Sequence, residues 1–104
     1  MTELTGRQRS HLRSLAHHLD PVVTVGRDGL SDPVMEEVDD VLRARELIKV
    51  KLPGDRKERE AIAEELARRS GAALAGTIGR IAILYRPHPE PEKRAIELPR
   101  QEGG

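Results

Sequence analysis

Apolar residues recur at intervals of three and four in three parts of the chain, a spacing that predicts three amphipathic helices. Each helix is preceded by residues that favour an N-terminal cap. These caps are Thr5 with Gln8, Ser31 or Asp32, and Asp55 with Glu58. The apolar stripes are Leu12, Leu15, Ala16 and Leu19, then Val34, Val38, Val41 and Leu42, then Ile62, Ala63, Leu66 and Ala67. The first helix is expected to end near Asp20–Pro21.

Two further stretches, between the helices, have the patterns of strands. The β-branched run Val22–Val25 has no alternation, which is typical of a strand covered on both faces. The stretch Leu47–Leu52 alternates instead, so Lys49 and Lys51 are expected on the face opposite its apolar residues. These lysines are either ordinary solvent-side residues or part of a basic surface.

After the third helix the pattern predicts a β-hairpin. Ala72–Ile78 and Ile81–Tyr85 are joined by Gly79-Arg80, a pair that suits a tight turn. The resulting order, α-β-α-β-α-β-β, predicts an α/β fold: a single domain with helices packed on a mixed four-stranded sheet. Parallel pairs and a closing antiparallel hairpin are expected in that sheet.

From Pro87 onward the composition changes to proline and charge. We therefore expect a folded domain over residues 1–87 and a mobile tail over residues 88–104, with a short ordered piece at Ala95–Leu98.

Composition limits the classes of function. The 104 residues include no cysteine, which excludes disulfides and cysteine-ligated zinc. No apolar run approaches the length of a membrane span, and we expect a cytoplasmic protein with no membrane association. There is no Phe or Trp and only one Tyr, so binding of single strands by stacking bases on aromatic platforms is not expected.

Charge is dense and balanced, with 18 basic and 18 acidic residues, which argues against indiscriminate binding to nucleic acid. Its distribution is uneven. Residues 31–46 hold two basic and six acidic side chains, whereas residues 47–87 hold nine basic and five acidic. The acid is thus concentrated in the second helix, and the rest of the predicted domain is mildly basic.

The loop between the first strand and the second helix is the main candidate for chemistry. Its residues are Gly26, Arg27, Asp28 and Gly29. Glycine lets the main chain approach a ligand, the following helix directs N–H groups toward it, and Arg27 adds a permanent charge. This arrangement predicts an anion contact, with nucleic-acid backbone as the anion. The alternative is a tight turn with no ligand.

A basic flank on the first helix is the second candidate. Arg9, Arg13 and His17 lie four residues apart and therefore share one stripe beside the apolar face. An ordinary solvated helix surface is the alternative. Replacing both arginines is expected to leave stability almost unchanged, because both are expected to be exposed.

No enzymatic site is apparent. The acidic run Glu36, Glu37, Asp39 and Asp40 could in principle supply metal or acid–base carboxylates, but such a run is usually a solvated helix face. His17 and His18 are adjacent and point in different directions on a helix, and His11 reads as a surface residue. We therefore expect no catalytic residues, no metal and no cofactor.

Several short runs, taken together and in order, resemble one known family. They are Gln8-Arg9, His11-Leu12-Arg13, Leu15-Ala16-His17, Leu19, Pro21-Val22-Val23, Val25-Gly26, Gly29-Leu30-Ser31, Glu46-Leu47-Ile48-Lys49-Val50-Lys51 and Leu84-Tyr85-Arg86-Pro87. The sequence over residues 5–87 is similar to the CRM domain, named for chloroplast RNA splicing and ribosome maturation. The stand-alone bacterial form of this domain is the YhbY family.

The resemblance implies RNA binding and an α/β fold similar to the C-terminal domain of translation initiation factor three. Bacterial members of the family are associated with the maturing large ribosomal subunit. The family's GxxG loop, which resembles that of KH domains, corresponds to Gly26–Gly29, and its basic helix residues correspond to Arg9 and Arg13. Asp28, an acid within the loop, departs from the pattern.

The expected partner is therefore RNA, either ribosomal RNA or a pre-ribosomal particle, with no DNA, bound by a monomer. The candidate contacts are Arg9, Arg13, His17, Gly26, Arg27, Asp28, Gly29, Lys49 and Lys51. An alternative class is a non-enzymatic adaptor that uses the acidic second helix to bind a protein. RNA affinity that falls steeply with salt would distinguish the first class from the second.

Overall fold

The helices and strands follow one another in the predicted order in the computed structural model, which describes residues 3–99. The elements are α1 (Gly6–Ala16), β1 (Pro21–Thr24), α2 (Asp32–Ala44), β2 (Leu47–Lys51), α3 (Arg56–Ser70), β3 (Ala73–Ile78), β4 (Ile81–Tyr85) and a 3₁₀ turn at Pro91–Lys93. The strands form one sheet in the order β1-β2-β4-β3. β1 pairs in parallel with β2, and the other two pairs are antiparallel.

Two hydrophobic cores lie on opposite faces of the sheet. The alternation in β2 divides them: Ile48 and Val50 pack with α2 and α3, whereas Leu47 packs with α1. On the α1 side, Leu12 and Ala16 of the helix are fully buried against the strands. The α1 helix thus covers one face of the sheet, and α2 with α3 covers the other.

The predicted helix caps are present. Thr5 and Gln8 exchange two hydrogen bonds, of 3.0 and 3.1 Å, and Asp55 and Glu58 form the same reciprocal pair. Ser31, rather than Asp32, caps α2. The α1 helix ends at Ala16, four residues before the predicted end, because its last turn tightens into bonds between residues three apart.

The expectation that β1 is covered on both faces is wrong. β1 lies at an edge of the sheet, where it pairs only with β2. Val23 and Val25 are buried toward α2 and α3, but Thr24 between them is exposed. β-branched side chains favour the pleated backbone of any strand, whether it lies at the edge or in the middle of a sheet. The run of four such residues therefore predicts a strand but does not predict that both of its faces are covered.

The segment after Pro87, for which we predicted a tail with a short ordered piece at Ala95–Leu98, packs on the domain over the described residues. Up to Pro99 it lies against the α1 face, and Ile96 and Leu98 pack on that core. The cause is Glu46, whose buried carboxylate accepts three backbone hydrogen bonds from the segment. The donors are the N–H groups of His88 at 2.8 Å, Ala95 at 2.6 Å and Ile96 at 3.1 Å. Residues 100–104 of the predicted tail lie outside the described residues.

Tyr85, the one tyrosine of the chain, belongs to the same core and is 5% exposed. Burial raises the pKa of its hydroxyl above the ordinary value, and the nearby charge of Glu46 raises it further, while Arg94 opposes both effects. The hydroxyl therefore loses its proton less readily than that of a free tyrosine.

We expect Glu46→Ala to lower the free energy of unfolding by about 3 kcal/mol, because it leaves three partly buried N–H groups of the segment without an acceptor. Glu46→Gln should cost less, since its amide retains one acceptor oxygen. Denaturant unfolding measures both effects. Glu97→Ala is the control, because Glu97 is an exposed carboxylate in the same segment. Equal stability of the Glu46→Ala and Glu97→Ala variants would contradict the structural role of Glu46.

Candidate nucleic-acid interface

Three turns of the chain meet at one end of the sheet. The N–H of Val25, just past β1, donates to the carbonyl of Lys51 at 2.8 Å. The N–H of Leu52, just past β2, donates to the carbonyl of Arg80 at 2.7 Å. The glycine loop, the end of β2 and the β3–β4 turn therefore lie side by side. We call this region the loop end of the sheet, comprising residues 24–29, 51–54 and 78–81.

The glycine loop is a β-turn whose backbone is open to solvent. The N–H of Gly29 donates to the carbonyl of Gly26 at 3.0 Å, and the φ of +69° at Gly29 requires a glycine there. Nothing lies within 4 Å of the position that a Cβ would take at either glycine. Ser31 then starts α2 by accepting from the N–H of Val34. The tip of the turn can thus approach a ligand with its main chain.

Arg27 and Asp28 form the tip of this turn. Both side chains are exposed, and within residues 3–99 neither has a hydrogen bond or an ion pair. Asp28 therefore does not neutralise Arg27 by direct pairing. The guanidinium of Arg27 is free to bind an anion, and the carboxylate of Asp28 opposes that binding only through its field.

A row of side chains crosses the sheet at this end, on the same face as α1. In register, Thr24 lies opposite Lys51, Lys51 opposite Ile81, and Ile81 opposite Ile78. Thr24 and Lys51 are exposed, and Ile78 is 59% exposed. The ammonium of Lys51 has no partner within the described residues. Apart from Ile81, which is half-buried against the α1-side core, this row is an uncovered strip of sheet next to the glycine loop.

The next row on the same face carries α1 and is arranged differently. Lys49 donates from Nζ to the carbonyl of Leu19 at 2.9 Å and is half-buried. On the same face, at the edge formed by β3, Arg13 lies over Gly76 and donates from Nη1 to the carbonyl of Ala75 at 2.9 Å. A Cβ on Gly76 would be 2.8 Å from Cδ of Arg13, so the arginine lies directly on the strand.

The structure therefore separates the candidate contacts into two groups. Arg27 and Lys51 are free cations at the loop end, whereas Arg13 holds α1 to the sheet and Lys49 holds the segment that follows α1. The expectation that Arg13 is fully exposed is wrong, because its aliphatic part covers a glycine and its charge binds an edge-strand carbonyl.

The two other candidate residues of α1 are exposed. Arg9 donates to the carbonyl of Leu4 at 2.7 Å, and His17 lies at the end of α1.

One cation of the loop end was missed in the sequence. Arg80 is exposed in the β3–β4 turn, beside the end of β2. Antiparallel pairing of β2 with β4 puts that turn at the same end of the sheet as Lys51. The predicted order of elements, with a hairpin turn at Gly79-Arg80, could therefore have indicated Arg80 as a further basic residue of this end.

The acidic second helix is partly engaged within the fold. Asp39 pairs with Arg43 and Arg86, each at 2.9 Å, and Arg86 also donates to the carbonyl of Ser70 at 2.8 Å. Across residues 3–99, no three His, Asp or Glu side chains are grouped so that they could hold a metal ion. In the same part of the chain, no helix is long and apolar enough to span a bilayer.

The fold and the loop end define the class: an α/β domain with an open glycine turn beside free cations. A profile of the CRS1/YhbY (CRM) domain matches residues 4–86. The chain belongs to the CRM domain family, as the sequence resemblance indicated, and its fold is the α/β fold expected from the sequence.

Relatives extend over nearly the whole chain. An RNA-binding protein of Haemophilus influenzae is 44% identical over 102 residues, which are 97% of this chain and 100% of that protein. YqeI of Bacillus subtilis, named as a probable RNA-binding protein, is 41% identical over 92% of this chain and 99% of its own length. The solution structure of SAV1595 from Staphylococcus aureus superimposes with a TM-score of 0.82 at 37% identity, covering 92% of this chain and 99% of that one.

The position of Arg13 leads to a stability prediction. We expect Arg13→Ala to lower the free energy of unfolding by about 1 kcal/mol, because the carbonyl of Ala75 loses its donor and Gly76 loses its cover. Arg9→Ala, on the exposed part of the same stripe, should change it by less than about 0.5 kcal/mol. Chemical denaturation of the two variants measures the difference. If both unfold like the parent protein, Arg13 does not anchor α1.

Proposed function

We propose that the protein binds RNA through the loop end of the sheet, with the glycine turn and Lys51 contacting the phosphate backbone. The observation that carries this proposal is the open turn of Gly26–Gly29, which presents main chain and the unpaired Arg27 at the start of α2. In this proposal the remaining candidate residues, Arg9, Arg13, His17 and Lys49, contribute further contacts from α1 and from the face of the sheet that α1 covers. Relatives named as RNA-binding proteins support RNA as the ligand.

We further propose that the RNA belongs to the large ribosomal subunit during its assembly. This part rests on the family resemblance, in which bacterial members are associated with the maturing large subunit. In this role the protein acts as a cytoplasmic monomer and binds without catalysing a reaction. Its balanced net charge fits a protein that binds a particular site and does not coat RNA at random.

Two substitutions in the turn test the contact with the backbone. We expect Arg27→Ala to weaken RNA binding by about 1–3 kcal/mol, the range for a charge-assisted hydrogen bond, and Asp28→Lys to strengthen it. Neither should alter the turn, which is held by the backbone bond between Gly26 and Gly29. Fluorescence anisotropy with a labelled RNA hairpin at fixed salt, together with thermal melts, measures both effects.

Arg45→Ala is the matched control. Arg45 is an exposed arginine that lies two residues before the start of β2, at the end of the sheet away from the loop end, and its side chain has no partner within residues 3–99. It should bind RNA like the parent protein. If Arg27→Ala and Asp28→Lys both behave like this control, the loop is only a turn between β1 and α2.

Crosslinking in living cells tests the proposed target. We expect RNA crosslinked to the protein to consist mainly of large-subunit ribosomal RNA, and this enrichment to decrease with Arg27→Ala. Recovery of ribosomal RNA in proportion to its abundance in the cell, with no change in the variant, would argue against a role in assembly.

A further inference from the structure

The β3–β4 turn is held in place from two sides. The carbonyl of Arg80 accepts from Leu52 at 2.7 Å, and the carbonyl of Gly79 accepts from Nε of Arg59 at 3.1 Å. Arg59 also donates to the carbonyl of Gly54 at 2.7 Å, so it joins the turn to the loop after β2. The backbone of the turn is therefore fixed relative to β2.

The side chain of Arg80 is nevertheless uncommitted. It is exposed, and within residues 3–99 it makes no hydrogen bond and no ion pair. Other arginines of this domain, such as Arg13, Arg59 and Arg86, donate to carbonyl groups. A free guanidinium on a fixed turn can bind a ligand at a smaller entropic cost, because its backbone is already ordered.

Arg80 continues a line of free cations across the loop end. Arg27 lies in the turn after β1, Lys51 is the last residue of β2, and Arg80 lies in the turn before β4, so the three belong to the ends of three neighbouring strands. Neighbouring strands are about 4.8 Å apart, which places the ends of β1, β2 and β4 within roughly 10 Å of sheet width. Long side chains so spaced can reach neighbouring phosphates of one nucleic-acid strand.

Acidic groups near this line are largely engaged. Asp55 and Glu58 form the capping box of α3, and Glu60 pairs with Arg56 at 3.3 Å. Asp28 remains as the exposed acid of the glycine turn. Within residues 24–29, 51–54 and 78–81 the charged side chains are three cations and one carboxylate, a local excess of positive charge in a protein of zero net charge.

We propose that Arg80 is a phosphate-binding residue, and that the RNA strand crosses the loop end from the glycine turn over Lys51 to the β3–β4 turn. This inference rests on the proposed function and extends its site by one strand beyond the candidate residues. It also orients the bound RNA: its backbone crosses the sheet perpendicular to the β-strands.

Binding of the full chain to a labelled RNA hairpin and a labelled oligouridine tests the inference. We expect Arg80→Ala to weaken binding roughly tenfold, which corresponds to 1.4 kcal/mol, and to reduce the salt slope by about one. Arg45→Ala should leave both quantities unchanged. The loss in the double variant with Arg27→Ala should be close to the product of the two single losses, because the two side chains do not contact each other.

The outcomes separate the two proposals. If Arg27→Ala weakens binding but Arg80→Ala matches Arg45→Ala, the role of Arg80 is wrong and the proposed function stands. If the parent protein does not bind either RNA, or if Arg27→Ala and Arg80→Ala both bind like the parent, both proposals fail. Should Arg80→Ala melt at a lower temperature, Arg80→Gln keeps most of the side-chain length without the charge and must show the same loss of binding.

Discussion

The pairing of β2 with β1 on one side and β4 on the other determines most of this architecture. Its parallel bonds to β1 place the glycine turn beside Lys51, and its antiparallel bonds to β4 bring the β3–β4 turn to the same end. The alternation within β2 also assigns Ile48 to one core and Leu47 to the other. One five-residue strand thus connects both cores with the proposed binding surface.

The predictable parts of the fold are those that local chemistry determines. The reciprocal bonds of Thr5 with Gln8 need only four residues, and the period of two in β2 is visible without knowledge of any partner. Identification of the glycine turn similarly depended on residues adjacent in sequence. These features were predicted correctly because each is settled within one element or one turn.

The missed features depend on contacts between distant parts of the chain. Arg13 looked like an exposed helix residue, but it binds Ala75, which is 62 residues away. Glu46 gave no local sign that it would bind Ala95, 49 residues further on. The run Val22–Val25 predicts coverage on both faces because it does not alternate, but such a run does not reveal whether a helix packs on each face. All three features depend on contacts between distant parts of the chain, which the periodicity of a sequence does not reveal.

The contacts of Glu46 also determine where this domain can be cut when it is transferred into another polypeptide. The region matched by the family profile ends at residue 86, but the carboxylate at the start of β2 binds N–H groups at residues 88, 95 and 96. A copy cut at the profile boundary would keep the buried acid and lose its donors. When this domain is transplanted into a longer polypeptide, the segment to Pro99 should therefore move with it as part of the same module.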